Sequence, residues 1–303
     1  MRVLVLGASG MLGHVMCRVL ARQHDVYAAV RARREQYPAF YALSACHHLI
    51  SGVDLAADGA VDRLLREVRP DVCVNAAGLI KQRSNVNAAS FVRLNSLLPQ
   101  LAAGICDEVG CRLVHVSTDC VFSGTRGAYR EDDIPDATDI YGRSKLLGEI
   151  TDVPHLTLRT SLIGLQLAGH ESLVSWFLSQ RGRRIRGYAN AVFSGVTTEA
   201  FAEIVAGLLE RPEPLTGLYH LAAEPISKYD LLCKLRDILD LDTVIDRDDS
   251  VSVDRSLDAR AFYSVTGIAP PSWDAMLRQL AARLGDYERL QDGSRVDLRR
   301  AAV

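Results

Sequence analysis

Val3-Leu4-Val5-Leu6-Gly7-Ala8-Ser9-Gly10-Met11-Leu12-Gly13 is the stretch that decides the fold. A short apolar run closed by glycine is what a parallel strand buried on both faces requires. From Leu12 to Ala21 the apolar residues return at helical spacing, so the order is strand, glycine turn, helix. Each glycine then has a reason: Gly7 permits the tight turn, Gly10 lets backbone approach a pyrophosphate, and Gly13 lets helix pack close on strand. Ser9, Met11 and Leu12 belong to the same turn, and the helix start offers unpaired N–H groups to phosphates. The stretch predicts an α/β fold: a doubly wound parallel (Rossmann) sheet for a dinucleotide, with a second, smaller α/β lobe.

The end of the second strand, Val26 to Val30, bears on which dinucleotide. A carboxylate there suits the ribose hydroxyls of NAD, whereas arginine suits a 2′-phosphate. The sequence has Arg31-Ala32-Arg33-Arg34, so Arg31 and Arg34 favour NADP(H), with NAD(H) the alternative and a solvated basic turn the plain reading. Val53-Asp54-Leu55 is read as a third strand end, where Asp54 contacts an adenine amine or caps a turn. Val72 to Gly78 is a further strand, and Asn75, Ala76, Ala77 and Gly78 give small residues where a flat ligand can lie against backbone. Lys81 and Gln82 follow at its open end, the side on which ligands bind in such sheets. A solvated loop lysine competes with a substrate contact there. Phe91 to Val109 predicts a long helix kinked at Pro99, and Asn95 on it is expected to make a helix-to-strand hydrogen bond.

The strand Arg112 to Val116 delivers Ser117-Thr118-Asp119, three hydrogen-bonding side chains suited to gripping a carbonyl oxygen. After a Gly-, Asp- and Pro-rich loop comes Tyr141-Gly142-Arg143-Ser144-Lys145. Residues four apart share a helix face, so the Tyr141 hydroxyl and Lys145 ammonium point into one space. A cation beside a phenol favours phenolate and makes the phenol a better proton donor near neutrality. The chain has only four lysines among its 35 basic residues, which makes the pairing harder to assign to chance.

Length and composition bound the remainder. A chain of 303 residues, 48% hydrophobic and 24% charged, suits a globular protein of two lobes. Its net charge of -2 gives no reason to expect nucleic acid or a membrane surface. Seven scattered cysteines with no C-x-x-C pair are expected to be reduced and mostly buried, in a cytoplasmic protein with no metal. No apolar run reaches membrane-spanning length, and no export signal is expected. Leu156 to Leu162 reads as a sixth strand. Thr197 to Leu209, Lys228 to Leu239 and Trp273 to Leu284 read as helices, with a charged, frayed end from Tyr287. The dinucleotide-binding domain is placed at residues 1–164 and 195–222, and the substrate lobe at 165–194 and 223–303.

Gly7-x-x-Gly10-x-x-Gly13, Ser117 to Gly124 and Tyr141 to Glu149 together resemble the extended short-chain dehydrogenase/reductases. Within them the chain most resembles the dTDP-4-dehydrorhamnose reductase branch, whose closing motif is similar to Arg255-Ser256-Leu257-Asp258 and Pro271-Ser272-Trp273. The resemblance implies a catalytic Thr118, Tyr141 and Lys145, with Tyr141 and Lys145 also touching the cofactor and Ser117 beside the nicotinamide. It implies NADPH-dependent reduction of a nucleotide-linked 4-keto-6-deoxy sugar in surface polysaccharide precursor synthesis. Asp119, Cys120, Leu162 and Lys81 are substrate-side candidates, and Arg183, Arg184 or Arg186 would meet the sugar nucleotide's diphosphate. The resemblance admits a homodimer. Cys120, Leu162 and Val196-Thr197 depart from the family's usual residues, and they bear on which sugar is used. An epimerase or dehydratase of the same fold, and a non-catalytic NADP-binding regulatory subunit, are the rival implications.

Overall fold

The computed structural model describes residues 1–33, 46–80, 87–167, 169 and 171–300, with side chains as far as Arg289. Its centre is a seven-stranded sheet in the order β10-β6-β5-β4-β1-β2-β3. The strands are β1 (Arg2–Leu6), β2 (Asp25–Ala29), β3 (His48–Ile50), β4 (Val72–Asn75), β5 (Arg112–Thr118), β6 (Leu156–Thr160) and β10 (Gly217–His220). Every pairing in it is parallel. The third strand is thus His48–Ile50, and Val53 to Leu55 lies in the loop after it.

β1 shows why its sequence is apolar without alternation. Val3 and Val5 pack into a core with Val15, Met16 and Val19 of helix α1 (Gly13–Leu20), whereas Leu4 and Leu6 face Leu64, Leu65, Leu98 and Ala102. Both faces are covered by helices, so neither can be polar. The second face is covered by α2 (Ala60–Val68) and by a long helix built of α3 (Ala88–Phe91), a π-helical stretch Val92–Leu97 and α4 (Leu98–Val109). Pro99, which cannot donate a backbone hydrogen bond, opens the last segment, and the irregularity it causes is a π-helical stretch.

The second lobe is built on a three-stranded sheet of β11 (Ile226–Ser227), β8 (Arg184–Phe193) and β12 (Val244–Asp254). A small pairing of β7 (Leu162–Ile163) with β9 (Val196–Thr197) lies between the sheets in sequence. Helices α5 (Ile140–Leu147), α6 (Leu173–Leu178), α7 (Thr198–Leu209), α8 (Lys228–Ile238), α9 (Arg260–Thr266) and α10 (Trp273–Arg300) complete the chain. Thr197 and Ser227 cap α7 and α8 by accepting the Ala200 and Asp230 amides. α10 runs well past Leu284, and Tyr287, expected in a frayed end, is 3% exposed. Among the described residues no helix is long and apolar enough to cross a membrane. The cysteines carry no disulfide.

Candidate active site

The strand order reverses between β1 and β4, the position at which open α/β sheets bind ligands. Leu6 pairs with Asn75, so the turns leaving the two strands meet. Gly7 has φ +72, and a Cβ on it would come within 2.7 Å of the Ala77 Cα. A Cβ on Gly13 would reach 2.1 Å from the Gly7 carbonyl oxygen. Gly10 is different: it is exposed, and an added Cβ meets only the Gly7 oxygen at 3.1 Å. Its smallness leaves backbone open on the outer side of the turn. Ser9 and Met11 are half-exposed beside it, whereas the Leu12 side chain is in the core and only its backbone can serve a ligand.

Asn75 holds the β4 end in shape, its Oδ1 accepting the Ala77 amide at 3.1 Å. Ala76 and Ala77 are half-buried and Gly78 is exposed, as a surface for a flat ligand needs. Asn95, expected to bond a strand, instead ties the helix to the segment after β4, taking the Leu79 amide at 2.8 Å and donating to the Leu79 carbonyl at 3.1 Å. Arg31 is exposed at the end of β2. Arg34, Lys81 and Gln82 lie outside the described residues. Asp54 accepts the Ala56 amide at 3.0 Å in a turn, and Leu55 packs on the core.

α5 is pressed onto the end of β5 by two glycines. Asp139 caps the helix at the Gly142 amide, and a Cβ on Gly142 would lie 2.2 Å from the Cys120 carbonyl oxygen. At the other end a Cβ on Gly148 would lie 1.9 Å from the Asn95 carbonyl oxygen. Ser144 accepts from Asn95 Nδ2 at 3.1 Å, which ties α5 to the π-helical stretch. The clamp sets Tyr141 at the end of β5, near enough to Thr118 for the threonine to lower its pKa. Lys145, one turn on and buried, donates to the Val116 carbonyl at 2.7 Å.

The electrostatics differ from the expectation. Burial first, and then nearby Cys120, raises the Tyr141 pKa well above the ordinary phenol range, and the neighbouring Thr118 only partly offsets this. Any lowering by the lysine is smaller than the raising by burial. Burial instead lowers Lys145 to about 8, against a pull upward from Glu149. His115 is likewise held neutral, chiefly by burial and then by Lys145. Because Asn75 Oδ1 takes the Ala77 amide, its Nδ2 faces His115 Nδ1 at 3.1 Å. The neutral imidazole therefore carries its proton on Nε2, which is 3.5 Å from Lys145 Nζ.

Ser117 is buried at the end of β5. Its hydroxyl donates to Glu149 Oε1 at 2.6 Å, and Glu149 is held by Arg159 through two 2.8 Å bonds. Arg159 continues to His220 Nε2 at 3.3 Å, and His220 Nδ1 donates to the Tyr129 carbonyl at 3.0 Å. This buried chain was not anticipated, although Glu149 was visible in the motif.

On the substrate side, Asp119 is 5% exposed, accepts from Thr118 Oγ1 at 3.1 Å, and has its pKa raised by burial. The Cys120 thiol is pushed up to about 12, chiefly by burial, and its amide donates to Thr118 Oγ1 at 3.1 Å. Leu162 is half-buried in its pairing with Val196. The arginines proposed for a diphosphate are misplaced. Arg255 binds the Val192 carbonyl with its amide, and the Phe122 and Ser123 carbonyls with its guanidinium, so the site lies at the Phe193 end of β8. Arg184 opens that strand, roughly 30 Å away at the usual strand rise. It pairs with Asp246, and Arg186 pairs with Asp248 at 3.2 Å, while Arg183 is exposed beside them. Arg255 and Lys228 are instead the cations whose charges reach Asp119.

The sheet order, the glycine turn at its reversal and the tyrosine helix at the end of β5 define a short-chain dehydrogenase/reductase of the extended type. More narrowly, the chain belongs to the RmlD substrate binding domain family, whose model matches residues 1–284. It is 28% identical over 308 residues to the probable low-salt glycan biosynthesis reductase Agl14 of Haloferax volcanii, covering 95% of this chain and 99% of that protein. A hypothetical dTDP-4-dehydrorhamnose reductase from Sulfolobus tokodaii has TM-score 0.76 at 25% identity, covering 91% of this chain and 99% of its own. A dTDP-4-dehydrorhamnose reductase from Bacillus anthracis, solved in complex with NADP, shares the fold with TM-score 0.75 at 21% identity, covering 92% and 98%.

Proposed function

We propose that this protein reduces the ketone of a nucleotide-linked 4-keto-6-deoxy sugar with NADPH, in the cytoplasm, as a step toward surface polysaccharide precursors. The observation that carries the reading is that α5 packs on the end of β5 with Tyr141 beside Thr118, on the open side of a sheet whose glycine turn suits a pyrophosphate. The residues present fit the cofactor. Gly7, Gly10 and the Ser9 to Gly13 backbone would take the pyrophosphate, Ala76 to Gly78 would face the ring system, and Arg31 suits a 2′-phosphate. The Bacillus anthracis relative's NADP agrees with that choice. NADPH, when bound, supplies a hydride to the ketone carbon.

The chain's own side chains do the remaining work. Thr118 and Tyr141 would hold the ketone oxygen, and Tyr141 would give its proton to the alkoxide that develops there. A phenol kept neutral by burial is fully protonated at working pH, and an alkoxide is basic enough to take the proton from it. Lys145, charged below about pH 8, would favour the phenolate left behind and bind the nicotinamide ribose. Residues 1–164 and 195–222 would hold the dinucleotide and the remaining segments the sugar nucleotide, with Arg255 and Lys228 as the cations nearest the site.

The test is to mix protein, NADPH and a panel of 4-keto sugar nucleotides and follow the reduced-nicotinamide absorbance. Loss of absorbance with at least one member is expected. No loss with any member would refute the reading.

A further inference from the structure

The glycine turn is held in place by the far end of the chain. The Gly10 carbonyl accepts from His14 Nδ1 at 2.7 Å, and His14 Nε2 lies 2.6 Å from the Tyr287 hydroxyl. A carbonyl can only accept, so the imidazole proton sits on Nδ1 and Nε2 accepts a hydrogen bond from the phenol. His14 is 0% exposed and Tyr287 is 3% exposed, so water does not replace either bond. Burial also lowers the His14 pKa to about 4, which keeps the ring neutral and this tautomer in place.

The link has a consequence for the turn. The Gly10–Met11 peptide unit is planar and trans, so its carbonyl and N–H point in opposite directions. Holding the carbonyl against His14, inside the helix, turns the Met11 N–H outward to the side where Gly10 leaves the backbone open. Tyr287 lies beyond residues 1–284 that match the family, and 273 positions from His14.

We infer that Tyr287 is a positioning residue for the dinucleotide: through His14 it holds the Gly10 carbonyl and so aims the Met11 amide at the cofactor's pyrophosphate. This rests on reading the Gly7 to Gly13 turn as the pyrophosphate site. The role belongs to the part of α10 that this chain carries past the family's matched residues.

The experiment compares the full-length wild type, Tyr287→Phe and Leu280→Ala by calorimetric titration with NADPH, alongside melting of each free protein. Leu280 is 1% exposed on the same helix, so its truncation loosens the packing and leaves the Tyr287 hydroxyl present. Loss of one buried hydrogen bond at the turn should weaken NADPH binding by about fivefold or more in Tyr287→Phe. Leu280→Ala should melt lower and bind nearly as wild type. Nitrogen NMR of the wild type should show His14 with its proton on Nδ1, a signature that helix packing alone does not set. Equal affinity in Tyr287→Phe and wild type, an equal loss in Leu280→Ala, or an Nε2–H tautomer would each overturn the positioning role. A wild type that binds no NADPH would overturn the pyrophosphate reading along with it.

Discussion

Gly142 rests on the carbonyl of Cys120 so closely that a Cβ would come within 2.2 Å of the oxygen. This contact, at the first turn of α5, is what sets Tyr141 against Thr118. Gly142→Ala must therefore push the helix off the strand end. Overpacking of this kind costs about 1–3 kcal/mol. The variant is expected to melt lower and to lose most of its kcat while still binding NADPH, measured by thermal melts, turnover and titration.

Lys145 gives a pH test in which rate and stability move in opposite directions. Its folded pKa, about 8, is below the ordinary 10.5. Between these values the unfolded chain keeps a proton that the folded chain has released, so rising pH favours the folded state. The same loss of charge removes the cation that supports Tyr141, so kcat/KM should fall as pH passes about 8. Urea melts from pH 7 to 10 should show wild type gaining stability relative to Lys145→Met, while the wild-type rate declines.

Glu149 and Arg159 form a buried pair, with side chains 6% and 5% exposed. Glu149→Gln leaves the Arg159 charge uncompensated and should cost about 3–5 kcal/mol. Ser117→Ala removes one hydrogen bond to the same carboxylate and should cost about 1 kcal/mol. Denaturant midpoints check both. If Ser117 serves Glu149, its substitution shows in stability and not in NADPH affinity.

His14 and His220 are both lowered from 6.5 to about 4 by burial. Below pH 6.5 the unfolded chain takes up protons that these folded rings refuse, so stability falls as pH drops toward 4. The loss is on the order of 3 kcal/mol per ring once pH is below the folded value. Urea midpoints at pH 7, 5.5 and 4.5 should fall steadily, and less steeply in His220→Gln.

What could be read in the sequence was local. β1 is covered on both faces, so its apolar run carries the whole message. The ribbon of β8 and β12 was not legible, because β12 beyond Ile245 is largely polar and exposed and so lacks the apolar alternation that marks a strand. The same arginines looked like diphosphate ligands, since a sequence does not say which end of a strand meets the site. His14 and Tyr287 could not be connected from sequence at all: neither belongs to a local pattern that names the other. Burial misled in the opposite sense at Tyr141. The i,i+4 spacing put Tyr141 and Lys145 one turn apart on α5 but said nothing of the desolvation that raises the phenol's pKa.

The most direct test of the central claim is the rate of NADPH oxidation by Tyr141→Phe beside wild type, on whichever 4-keto sugar nucleotide the wild type accepts. With the proton donor gone and the ring retained, the rate should fall by roughly 10²–10⁴-fold while NADPH affinity stays near wild type. An unchanged rate in Tyr141→Phe would contradict the role of this phenol and, with it, the chemistry assigned to the site.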